Sequence, residues 1–205
     1  MNYQSTRDRS AKVSAAGAIV QGISHEGGLF VPETLPVFTP EELQSLVGLS
    51  YNEKARAVLS RFLTDFTPEE IARCVDGAYN TRGFDTPGIS AISKVGDNRY
   101  LLELWHGPTC AFKDYALQLM PKLLVEAKRI LHRGETTRIL VATSGDTGKA
   151  ALAGYAGLDG IDIAVFYPNA GTSEIQRLQM ATQAGDNVRV YAVEGNFDDA
   201  QTGVK

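Results

Sequence analysis

RILVATSGDTGKAALAGYAGLDGIDIAVFY, residues Arg138–Tyr167, is the stretch on which the fold turns. Arg138–Ala142 is an apolar run of strand length, Thr147–Ala156 is a small-residue helix, and Ile161–Tyr167 is a second strand. Strands alternating with helices are the signature of a parallel sheet. Upstream, Tyr100–Trp105 reads as a strand. Asp114–His132 then reads as one long helix burying Ala116, Leu117, Met120, Leu123, Leu124, Ala127 and Leu131, with Gly134 as its stop. Downstream come a helix at Ser173–Gln183, a strand at Val188–Val193 and a last helix opening near Phe197. That helix is cut short at Lys205, so the sequence is expected to be part of a longer chain.

The first 97 residues are dominated by helix signals instead. Thr39 before Pro40 with Glu42, Ser50 with Glu53, and Thr67 before Pro68 with Glu70 each form a capping box, in which a hydroxyl accepts from a free backbone N–H. Apolar residues follow at helical spacing: Leu43 and Leu46, then Ala55, Val58, Leu59 and Phe62, then Ile71, Val75 and Ala78. GGLFVPETLP, ahead of them, reads as a turn, a short strand and an exit loop. The expected class is α/β, a helical amino-terminal segment followed by a mostly parallel sheet with helices on both faces. The expected domains are 1–97 and 98–205.

Composition narrows the function. With 205 residues and 43% hydrophobic content the chain can bury a core. Its 20 basic and 24 acidic residues leave a net charge of −4, no footprint for a nucleic acid backbone. The longest apolar runs are strand-sized, so no membrane span is expected. Cys74 and Cys110 lack metal-type spacing and are expected as free thiols in a reducing, cytoplasmic compartment.

In an open α/β sheet, ligands gather where strands end and helix amino termini point into a crevice. Three loops have that address: HGPTCAFKDYALQ, TSGDTGKAA and YPNAGTSEIQ. The first puts Lys113 just before a helix, beside Phe112 and Asp114. An amine that attacks an aldehyde must be partly neutral, and desolvation or a helix amino terminus lowers a lysine pKa. A surface lysine at a helix start explains the position equally well. In the second loop, two glycines between Thr143 and Gly148 let backbone N–H groups approach an anion. The spacing of a nucleotide P-loop is missing, and a tight turn capped by Asp146 or Thr147 is the plainer alternative.

HGPTCAFKDYALQ and TSGDTGKAA, in that order, resemble threonine synthases of the bacterial and fungal type, which are fold type II pyridoxal phosphate enzymes with a tryptophan synthase beta-like fold. YQSTRDRS, AIVQGISHEGGLFVPE, YPNAGTSEIQRLQM and VEGNFDDAQ are similar to further segments of that family, so the resemblance runs along nearly the whole sequence. It implies the cofactor pyridoxal 5'-phosphate and the conversion of O-phospho-L-homoserine and water into L-threonine and phosphate. It implies that Lys113 is the Schiff-base lysine, also moving protons at the substrate's alpha and beta carbons. Phe112 and Asp146 would border the cofactor, Asp146 standing where many fold type II enzymes carry asparagine. Thr143, Ser144, Gly145, Asp146 and Thr147 would hold the substrate carboxylate, and Ser173 with Gln176 are candidate donors to its phosphate. Many relatives carry a basic residue in the segment matched by Asn169, Ala170 and Gly171, which this chain lacks. The family's glycine-rich cradle for the cofactor phosphate is not GNFDDAQ, whose Asp198 and Asp199 would repel a phosphate. The rival readings are a serine or threonine dehydratase of the same fold, and a non-catalytic binding fragment.

Other residues read more plainly. His25, His106 and His132 are too scattered for a metal, and His106 is expected in a loop hydrogen bond. Cys110 and Trp105 are expected to be buried packing residues.

Overall fold

The computed structural model describes Met1–Lys205 throughout. Its elements run β1 (Tyr3–Ser5), β2 (Lys12–Val13), α1 (Ala15–Gln21), β3 (Phe30–Pro32), α2 (Pro40–Ser45), α3 (Tyr51–Phe62), α4 (Pro68–Ala78), β4 (Ala91–Gly96), β5 (Arg99–Glu103), α5 (Asp114–Leu117), α6 (Met120–Ile130), β6 (Thr137–Ala142), α7 (Asp146–Tyr155), β7 (Ile161–Pro168), α8 (Glu174–Ala181), β8 (Val188–Val193) and α9 (Phe197–Val204). They form two compact units, 1–80 with 122–133, and 81–121 with 134–205. The cut at residue 97 follows composition, whereas the first unit draws in the body of α6. No helix is long and apolar enough to cross a membrane.

In the first unit, β1 pairs antiparallel with both β2 and β3. All three capping boxes form as read, with Thr39, Ser50 and Thr67 each accepting from the backbone N–H of Glu42, Glu53 and Glu70. Helix α4 buries Ile71, Cys74, Val75 and Ala78, while Leu123, Leu124 and Ala127 of α6 are buried too. Each buried Ile, Val or Leu among them contributes about 1.5–3 kcal/mol. Arg73 and Arg129 both reach Glu126, tying α4 to α6 within this unit. Leu43 of α2 behaves differently: α2 buries nothing, and Leu43 is exposed. A six-residue helix is too short to present a continuous apolar stripe.

In the second unit, β6, β7 and β8 form a parallel sheet in that order. Strand β7 alternates strictly, with Ile161, Ile163, Val165 and Tyr167 buried on one face under α7. The other face carries α9 near Phe166 and leaves Leu140 and Tyr191 exposed.

Four expectations need correction here. Tyr100–Trp105 does not belong to the parallel sheet: β5 pairs antiparallel with β4, Ala91 opposite Glu103, and Asn98 closes the turn at φ 54°. Strand β4 lies in the segment read as helical, its alternation being only six residues long. The long helix is broken after Leu117, because Pro121 has no N–H to give the Leu117 carbonyl. Its end is set by His132, not Gly134: His132 takes the left-handed conformation at φ 53° and the Arg133 N–H closes on the Lys128 carbonyl at 2.8 Å.

Candidate active site

Helix α5 and helix α7 approach closely at Gly154, where a Cβ would come within 2.0 Å of the Leu117 carbonyl oxygen. Only a glycine allows that approach, and it is the carbonyl freed by Pro121. The amino-terminal ends of the two helices meet separately, through Lys113 and Asp146. Lys113 directly precedes α5 and Asp146 opens α7, and the Lys113 Nζ donates to Asp146 Oδ2 at 2.9 Å across 33 residues of sequence. The Lys113 ammonium also lies 4.3 Å from the centre of the Phe112 ring. This ring is exposed on its outer side.

The bond from Lys113 holds the Asp146 carboxyl below its ordinary range, against a smaller opposing effect of burial. Asp146 is therefore ionised at neutral pH. Its other oxygen accepts from the Thr147 N–H at 2.8 Å.

The turn ahead of α7 is built by Thr143. Its buried hydroxyl accepts from the N–H groups of Gly145 at 3.0 Å and Gly148 at 2.9 Å, and thus caps the helix from the end of β6. Neither Asp146 nor Thr147 is the cap; that position falls to Gly145, at φ 157° and ψ −88°. A side chain there would also strike the Gln176 amide, 2.2 Å from a Cβ. Gln176 thus lies against the turn, its oxygen accepting from the Ser173 hydroxyl at 3.0 Å, and Ser173 caps α8. Ser144 is exposed at the same corner. The structure thus gathers Lys113, Phe112 and Asp146 in one contact group, and Thr143, Gly145, Gln176 and Ser173 in a second that shares the same turn.

Several residues near the site depart from their sequence reading. Cys110 is exposed, at φ 59°, and not a buried packing residue. Trp105 is half exposed and not core, since β5 ends at Glu103 and the two-stranded hairpin leaves Leu101 and Leu102 exposed as well. His106 does make loop hydrogen bonds, with Nε2 2.7 Å from Glu103 and Nδ1 2.5 Å from Asp85; these bonds, Glu103 first, raise its pKa. Lys149, absent from the sequence reading as a candidate, is partly buried and donates to Gln183 at 2.6 Å; burial lowers its pKa. No group of three or more His, Cys, Asp or Glu side chains could hold a metal ion.

Residues 2–79 match the family described as threonine synthase N terminus, and residues 76–205 match pyridoxal-phosphate dependent enzyme. Threonine synthase from Pseudomonas aeruginosa is 41% identical over 206 residues, covering all of this chain and 43% of that protein. Threonine synthase from Saccharomyces cerevisiae is 36% identical over 99% of this chain and 42% of its own length. A crystal structure of PLP-bound threonine synthase from Brucella melitensis superposes with a TM-score of 0.90 at 38% identity, over 98% of this chain and 43% of that one. The chain thus spans less than half the length of these relatives.

Proposed function

The chain belongs to the pyridoxal-phosphate dependent enzyme family, and on that premise we propose that it carries the lysine side of a threonine synthase site, which converts O-phospho-L-homoserine and water into L-threonine and phosphate. The observation that carries this reading is the 2.9 Å pairing of Lys113 with Asp146 at the start of α7. The donor set fits the cofactor. Lys113 offers a primary amine for an aldehyde, Phe112 and Asp146 lie beside it for a ring, and the glycine turn under Gln176 leaves backbone rather than side chain facing the corner. Pyridoxal phosphate, when bound, supplies the electron sink for carbanions at the substrate's carbons.

The chain's own residues do the rest. Lys113 takes and returns protons at the substrate's alpha and beta carbons, and the ionised Asp146 orients its ammonium form. The Thr143–Thr147 turn sets the positive end of α7 toward the substrate carboxylate. Ser173 and Gln176 are the candidate donors to the substrate phosphate, which the dipole of α8 also favours. The two free thiols support a reducing, cytoplasmic setting.

Borohydride reduction after incubation with pyridoxal 5'-phosphate tests the assignment. The pyridoxyl mass is expected chiefly on the peptide carrying Lys113, well above the background on exposed lysines, and that excess is lost in Lys113→Ala; a different lysine labelled in preference to Lys113 would overturn it. In the full-length enzyme, Thr147→Val is expected to raise the KM for O-phospho-L-homoserine by about tenfold, the cost of one lost polar contact of about 1.4 kcal/mol. Cofactor affinity should change little, and the reverse pattern would count against a role for the turn at the carboxylate.

A further inference from the structure

We propose that Asp114 is a positioning residue for Lys113: its buried carboxylate, clamped by Thr109, closes the 107–114 loop and fixes the backbone from which the lysine reaches Asp146. The inference rests on the reading of Lys113 given above and extends it to a residue that touches neither cofactor nor substrate.

Asp114 is completely buried, at 0% exposure. Its oxygens are held by donors of the same loop and of the helix that follows. Oδ2 accepts from the Thr109 N–H at 2.9 Å, and Oδ1 accepts from the Thr109 hydroxyl at 2.8 Å and the Gln118 amide at 3.3 Å. A carboxylate is acceptor-only, so this donor set suits it and no neutral side chain of the same shape matches it. Burial of such a group is unfavourable unless its bonds are made, and here they all fall within ten residues. The return on that burial is geometry.

The loop needs holding. Gly107 packs so tightly on Asp114 that a Cβ would lie 2.5 Å from the carboxylate, and Cys110 sits in the left-handed region that side chains disfavour. With Thr109 bound to Asp114, the chain from 109 to 114 forms a closed ring, and Lys113 lies inside it one residue from the clamp. On the other side, the Lys113 carbonyl accepts from Ala116 and Leu117 N–H groups, so α5 fixes it as well. Gln118 extends the clamp to the partner element: the same Nε2 that reaches Asp114 also lies 3.4 Å from the Ala150 carbonyl of α7. The helix bearing Asp146 and the loop bearing Lys113 are therefore joined through Asp114.

The test labels lysines on the folded chain with pyridoxal 5'-phosphate and borohydride, and compares Lys113 with exposed Lys54 as an internal reference by peptide mass. A misplacement of about 1 Å at a reacting group costs roughly a hundredfold, so Asp114→Asn and Thr109→Val are expected to lower the Lys113 to Lys54 ratio by about tenfold or more. Thr109→Ser keeps both donors and should restore the ratio to within about twofold. Thr109→Val removes a single hydroxyl bond and serves as the folded test if Asp114→Asn does not fold. A ratio unchanged in Thr109→Val, with the circular dichroism of the parent, overturns the positioning role while leaving Lys113 in place. Failure of the parent chain to label at Lys113 overturns both readings, and a loss in Thr109→Ser equal to that in Thr109→Val overturns the clamp.

Discussion

His106 stands between two carboxylates, and the bonds to Glu103 and Asp85 raise its pKa above the ordinary histidine value. The folded state therefore binds this proton more tightly than the unfolded chain. That contribution to stability is fully present below the unfolded value, about 6.5, and is lost as pH rises through the folded one. The gap in melting temperature between the parent and His106→Gln should accordingly be widest below about pH 6 and shrink at higher pH. A gap that stays constant across that range would show that the imidazole acts by shape alone. The thiols give a second check at this scale. Burial pushes Cys74 up to about 12, so only Cys110 should react with a disulfide reagent in the native chain at neutral pH, and both after denaturation. Lys113 and the glycine turn could be read from residue order, because a lysine before a helix and glycines after a strand have local signatures. Thr143 and Asp114 could not. Their partners are two to five residues away but depend on the path the loop takes, and nothing in the letters T and D shows it.

Helices with caps written in the sequence were legible, as Thr39, Ser50 and Thr67 show, and so was the βαβ order of β6, α7 and β7. A fourth box at Asn196 and Asp199 lacks that signature, because asparagine and aspartate replace the usual hydroxyl and glutamate; it gives the acid at 199 a structural task. The hairpin of β4 and β5 was hidden for a different reason, since a strand's letters do not say whether its partner is parallel. The Gly154 contact is likewise tertiary, a glycine inside a helix whose need appears only when α5 is packed against it. Gly154→Ala forces a methyl against a backbone oxygen that cannot swing away, and overpacking of this kind costs about 1–3 kcal/mol. Thermal melting should fall by several degrees, roughly 2–4 °C for each kcal/mol at this chain length. A melting temperature equal to the parent's would mean that α5 can shift without cost.

At the scale of the whole chain, the residue numbers of the two compact units were the least legible feature. Sequence order places α6 after the Lys113 loop, yet Lys122–Arg133 clusters with the first 80 residues. The reason is visible in Glu126, whose cationic partner Arg73 lies 53 residues earlier, and in Leu124 and Ala127, which are buried in the same unit as Ile71. Each unit therefore has its own buried set and its own reporter. Cys74 is buried in the first, and Trp105, the single tryptophan, lies in the second with its ring 5.6 Å from that of His106. Truncating Ile71, which is 2% exposed, to alanine should cost about 2–5 kcal/mol and move the denaturant midpoint of Cys74 labelling well below the parent's. If each unit is held mainly by its own core, the midpoint of Trp105 fluorescence should move less than that of Cys74. Equal shifts of both probes would mean that the chain unfolds as one cooperative unit.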